Sequence, residues 1–125
     1  MDPFESLDVF TQSYVNAMLF TESDVSLQNK YFSDFSEALI QKIKDDCYKF
    51  QTLAKDFITE ENNLNCDYCA DTIAGHDFWF TRNYTSSGFK DGEWREEAAT
   101  ELYNLAKEFG QFEIYEGDDN KVYVL

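Results

Sequence analysis

Between Phe35 and Phe57 the apolar residues fall three or four positions apart, at Phe35, Leu39, Ile43, Cys47, Phe50, Ala54 and Phe57. On a 3.6-residue repeat they form one stripe of about six turns, running to Ile58. A helix so strongly two-faced cannot stand alone in water, so the rest of the chain must supply a core to cover it. Ser33 or Asp34 is the expected N-cap. Lys42, Lys44, Asp45, Asp46, Lys49, Lys55 and Asp56 fall mostly off the stripe, which reads as a solvated face whose side-chain pairs are each worth some tenths of a kcal/mol.

The other elements follow from the same kind of pattern. Leu7, Phe10, Tyr14, Ala17, Met18 and Phe20 predict a first helix from Leu7 to about Thr21, capped by Ser6, with a polar loop over 22–30. Gly75 to Asn83 is rich in aromatics and reads as a strand. Its alternation sets His76, Phe78, Phe80 and Arg82 on one face and Asp77, Trp79 and Thr81 on the other. Tyr84 to Trp94 then reads as a loop. Ala98, Leu102, Leu105, Ala106 and Phe109 predict a third helix over 95–109, stopped by Gly110. The last fifteen residues read as a hairpin turning at Gly117-Asp118-Asp119-Asn120. That turn lacks the alternating acids and later Glu of a calcium loop.

With 125 residues, one Pro and five Gly, the chain shows no linker and predicts a single domain over 1–125. The expected fold class is α+β: two N-terminal helices, then strand, helix and β-hairpin, with a small antiparallel three-stranded sheet packed on the helices.

Charge narrows the functional classes. The formal net charge is −15, which opposes direct nucleic-acid binding because that depends on Lys and Arg displacing counterions. The excess is uneven. The segment 30–57 balances its acids with lysines, whereas 1–24, 60–77 and 91–119 are strongly acidic. Glu93, Glu96, Glu97, Glu101 and Glu108, with Asp118 and Asp119, make the C-terminal part the main candidate surface for a basic protein partner. Tyr84, Phe89 and Trp94 are the aromatic candidates for the same contact. The acidic N-terminus is unlike a secretory or transit signal, and no apolar run reaches membrane-spanning length, so a soluble protein of the cytoplasm is expected.

Specific chemistry is weakly signalled. His76, Asp77 and Arg82 invite an acid–base reading, but an extended strand sends His76 and Asp77 to opposite faces, which favours structural pairing instead. Cys47, Cys66, Cys69 and His76 are a ligand set that tetrahedral zinc accepts, although Cys47 lies on the apolar stripe and only one Cys-x-x-Cys pair is present. The acids around Cys66 and Cys69 argue against a thioredoxin-like catalyst. No catalytic residue, resident metal or cofactor is therefore assigned.

The run Ala74-Gly75-His76-Asp77-Phe78-Trp79-Phe80-Thr81-Arg82-Asn83 resembles a widespread family of small bacteriophage and prophage proteins marked by AGHDFWxTRN. The similarity extends to the hairpin at the C-terminus. Where family members carry Gly-His-Gly-Ala-Gly-Phe-Trp-Asp, this chain reads Tyr84-Thr85-Ser86-Ser87-Gly88-Phe89-Lys90-Asp91, without the second histidine. The resemblance implies phage origin and a host cytoplasmic location, and it carries no established activity. Together with the charge it predicts a phage interaction protein, either inhibiting a host or defence nucleic-acid-handling protein through a DNA-mimicking acidic surface or serving as an accessory protein without mimicry.

Overall fold

The computed structural model describes residues 3–21, 27, 29–84 and 88–125. Among them are four α-helices and one β-hairpin: α1 (Val9–Phe20), α2 (Glu37–Ala54), α3 (Ala70–Asn83), α4 (Glu96–Lys107), β1 (Ile114–Glu116) and β2 (Val122–Val124). Most of the loop expected over 22–30, and residues 85–87 of the loop after Asn83, lie outside the described residues.

The amphipathic stripe forms α2 as its spacing dictates. Leu39, Ile43, Cys47, Phe50 and Ala54 are buried. The cap is Ser36, whose Oγ accepts the Leu39 N–H at 3.1 Å, because Ser33 and Asp34 are used in a 3-10 turn, Phe32–Asp34, just before it. The helix stops at Ala54, and Phe57 and Ile58 fold back against the core from the turn beyond it. In α1 the cap is Asp8, not Ser6. Asp8 Oδ1 accepts the Thr11 N–H at 2.8 Å, while Ser6 Oγ donates to the Pro3 carbonyl. The third predicted helix appears as α4, followed by Gly110 with φ +72°.

The largest correction concerns 75–83. This segment is not a strand but the C-terminal two-thirds of α3, so the three-stranded sheet and the strand-helix-hairpin order do not exist. The misreading has a physical cause. Alternation and helical periodicity differ only if one face is polar, and α3 is covered on most sides: Ala70, Ile73, Ala74, Gly75, Asp77, Phe78, Trp79, Thr81 and Arg82 are all buried. Phe78-Trp79-Phe80 therefore fans around a helix instead of crossing a sheet. Phe78 stacks on Phe50 with ring centroids 4.2 Å apart, Trp79 meets Tyr14 edge-on, and Phe80 turns outward to His76.

Gly75 lets α1 approach α3. A Cβ there would collide with the Phe10 carbonyl and sit 3.1 Å from Ser13 Cβ. Ser13 Oγ uses the proximity to donate to the Thr72 carbonyl at 2.5 Å. The hairpin is two-stranded and antiparallel, with Ile114, Tyr115 and Glu116 opposite Val124, Tyr123 and Val122. Its anchor is the entry to α2: Phe35 bridges Val122, and the Ser36 N–H donates to the Val122 carbonyl at 2.8 Å. The overall class is α+β, with the helices supplying most of the core and the hairpin closing one edge.

Candidate functional site

The motif at 74–83 is a hub of fastenings. Arg82, its side chain 1% exposed, donates from Nη1 to Asp46 Oδ2 at 2.9 Å and to Tyr14 Oη at 3.1 Å. Its Nε and Nη2 reach the carbonyls of Gly110 and Phe109 at 2.8 and 3.1 Å. The guanidinium also lies against the Phe112 ring, 4.9 Å from its centroid. One side chain thus ties α1, α2, α3 and the segment after α4. Thr81 Oγ1 accepts the Phe89 N–H at 3.0 Å, Asn83 Oδ1 accepts the Phe112 N–H at 3.0 Å, and Trp79 Nε1 donates to Thr21 Oγ1 at 2.8 Å.

Asp77 completes the set. Its Oδ2 accepts the Trp94 Nε1–H at 2.8 Å. Burial, reinforced by Glu93 and Asp91 and opposed by that hydrogen bond, raises its carboxyl from the usual 3.8 to about 8. Burial also lowers His76, with Glu93 pulling the other way; the imidazole is half-buried and rests on Phe80, 4.7 Å between centroids. Within a helix His76 and Asp77 still diverge, and Asp77 and Arg82 have separate partners. The buried polar residues of the motif hold the fold, and the geometry assembles no acid–base pair from them.

The zinc set is likewise dispersed. Cys47 is buried in the core, whereas Cys66 and Cys69 are exposed before α3. Among the described residues no three His, Cys, Asp or Glu side chains gather to hold a metal ion.

The predicted partner surface does not stay together. Glu96, Glu97 and Glu101 are exposed on the first turns of α4 and line one open groove with Asp56, Phe57, Asn62, Ala98 and Thr100. The groove measures about 980 Å³, room for a stretch of chain and not just an ion. Arg95 is the base beside it, with Nε donating to the Glu61 carbonyl at 2.8 Å. Elsewhere, Asp118 and Asp119 sit exposed in the hairpin turn, where Asp119 accepts the Tyr123 hydroxyl at 2.6 Å. Glu108 is exposed just past α4, and Glu93 is half-buried, holding Asn65 Nδ2 at 2.9 Å.

The aromatic candidates separate by burial. Tyr84 is 41% exposed at the end of α3, whereas Phe89 and Trp94 are 0% and 3% exposed and belong to the core, so only Tyr84 of the three presents a contact surface. Asp56, Phe57 and Asn62 are not identified by sequence as part of a partner surface. Their signal was absent because a turn about forty residues earlier in the chain is what faces Glu96 and Glu97.

Among the described residues no helix is long and apolar enough to cross a membrane. Comparison with protein-family models, curated proteins and solved structures found no match.

Proposed function

We propose that the protein is a small acidic interaction protein, phage-encoded as the AGHDFWxTRN resemblance implies, that docks a basic segment of a host or defence protein in the cytoplasm. The observation that carries this reading is the convergence of Asp56, Glu96, Glu97 and Glu101 on one groove. Phe57 and Ala98 give its floor apolar contact, so an extended segment bearing Lys or Arg beside an apolar residue fits its chemistry. Inhibition of a nucleic-acid-handling protein by mimicry is the form this takes if the target surface is one that otherwise holds phosphates.

The test is parallel affinity capture from a bacterial lysate with the wild type and with Glu96→Lys/Glu97→Lys/Glu101→Lys, each checked for unchanged circular dichroism. A basic protein retained by the wild type, lost from the triple variant and released at ~1 M salt, where the screening length is about 3 Å, is the expected outcome. Added duplex DNA displaces that protein if mimicry operates. Equal capture by the two proteins would remove the groove from consideration.

A further inference from the structure

Three cysteines occupy two opposite environments. Cys47 is enclosed by the core, and its burial pushes the thiol well above its ordinary range. Cys66 and Cys69 are both exposed free thiols, three residues apart at the entry to α3.

Side chains hold that short stretch in a fixed shape. Asn65 Oδ1 accepts the N–H groups of both Asp67 and Tyr68, at 2.8 and 3.0 Å, so the chain between the cysteines curls around one oxygen. Asn63 Nδ2 donates to the Tyr68 carbonyl at 2.9 Å, and Glu60 Oε2 takes the Ala70 N–H at 2.8 Å. Asn65 is itself tied to Glu93 at 2.9 Å. Both ends of the curl are thereby fastened to the rest of the fold. Cys69 is the N-cap residue of α3 yet makes no capping hydrogen bond, and its sulfur lies 3.2 Å from Thr72 Oγ1. The cap that Ser36 and Asp8 supply to their helices through an oxygen is here occupied by a thiol.

We propose that Cys66 and Cys69 form a dithiol site that exchanges with a low-molecular-weight disulfide such as oxidised glutathione and closes into a reversible Cys66–Cys69 disulfide. In the first step the Cys69 thiolate attacks one sulfur of oxidised glutathione, forming a mixed disulfide and expelling one glutathione thiolate, which takes up a proton. The Cys66 thiolate then attacks the Cys69 sulfur and expels the second glutathione. Two protein thiols lose two electrons and two protons, and one glutathione disulfide becomes two thiols. The fastened turn holds positions 66 and 69 in one short stretch of chain, so the second step is intramolecular, an advantage that a second glutathione lacks. The neighbouring acids affect the speed of exchange without removing either thiol. Closure fixes the start of the helix that carries Asp77 and Arg82, and it leaves Cys47 untouched.

The experiment incubates the folded full chain with mixtures of reduced and oxidised glutathione, quenches with an alkylating reagent in denaturant so that Cys47 is also reached, and weighs the intact protein. The expected wild-type product retains one alkylatable thiol of the original three, has lost two hydrogens and carries no glutathione. Peptide mapping places the bond between Cys66 and Cys69. Cys66→Ser and Cys69→Ser are each expected to carry one glutathione instead. Amide exchange over the first turn of α3 slows in the oxidised wild type and in neither variant. Wild-type protein carrying two glutathiones, or keeping three free thiols in a mixture that modifies the single variants, would overturn the proposal.

Discussion

Helices α2 and α3 contribute to the same core and reveal themselves in opposite ways. In α2 one stripe is buried and the charges other than Asp46 face water, so spacing alone locates it. In α3 nine of fourteen residues are buried, and three of these, Asp77, Thr81 and Arg82, are polar. A helix at the edge of a core announces its period. A helix inside the core loses it, and its polar residues become fastenings whose partners lie far along the chain. Among the described residues every buried side-chain nitrogen or oxygen has a partner, which is what such an interior requires.

The comparison predicts that single polar changes in α3 cost more than apolar truncations at the rim of α2. The largest effect is expected at Arg82. Arg82→Met keeps the bulk among Phe78, Phe109 and Phe112 but leaves two carbonyls without their donor and Asp46 with Lys42 alone. Removing one member of a buried ion pair typically costs ~3–5 kcal/mol. Urea denaturation is expected to show a loss of that order, against about 0.5 kcal/mol or less for Tyr48→Ala, since Tyr48 is 75% exposed on α2. Asp46→Asn/Arg82→Met removes the buried charge that Arg82 no longer neutralises and is expected to recover the part of the loss that Lys42, 3.3 Å from Asp46 and half-exposed, does not offset. Equal losses for Arg82→Met and Tyr48→Ala would end the distinction between the two helices.

This division also sets what the sequence could reveal. The stripe of α2, the segment of α4 and the hairpin were legible because each has a solvent face or a turn with a local chemical signature, such as Gly110 or Gly117–Asn120. The chain over 70–83 was legible as a distinctive run and illegible as a helix, because Phe78, Trp79 and Phe80 satisfy a strand's preferences and nothing local indicates that Phe50, Tyr14 and Phe112 will surround them. Caps were misplaced by two or three residues for a related reason: Ser6, Asp8, Ser33, Asp34 and Ser36 are all competent, and tertiary position selects among them. The acidic side of the groove was visible in Glu96, Glu97 and Glu101, whose spacing puts 97 and 101 on one face. Its opposite wall, Asp56 to Asn62, is brought there only by folding.

A second test uses pH. The folded state holds the Asp77 proton up to about pH 8, whereas the ordinary carboxyl value is 3.8. Between those values the native state binds a proton that the unfolded chain has released, so this group's stabilisation is complete below about pH 4 and is lost as pH rises toward 8. Asp77→Asn keeps an acceptor for the Trp94 N–H and cannot ionise. The variant is expected to match wild type near pH 4 and to exceed it by roughly 4 kcal/mol at pH 7, with the gap levelling above pH 8. Thermal unfolding of both proteins across pH 4–9 measures it, and parallel curves would show that the buried carboxyl is not the titrating group.

The smallest effect separates the helices by sign. Alanine is a better helix former than glycine by ~1 kcal/mol, and at Lys44, exposed on α2, nothing opposes that preference. Lys44→Ala is therefore expected to be more stable than Lys44→Gly by about that amount. At position 75 the added methyl group enters the space of the Phe10 carbonyl, and backbone cannot swing aside as a flexible side chain can. α1 must move away from α3, disturbing the Ser13–Thr72 hydrogen bond and the Phe10–Phe78 contact, 5.9 Å between centroids. Overpacking of this kind costs about 1–3 kcal/mol, which exceeds the propensity gain, so Gly75→Ala is expected to destabilise by a net ~1 kcal/mol. Paired denaturation curves for the Ala and Gly forms at each site decide it: opposite signs mean the closeness of the α1–α3 crossing outweighs local helix preference, and the same sign at both sites means it does not.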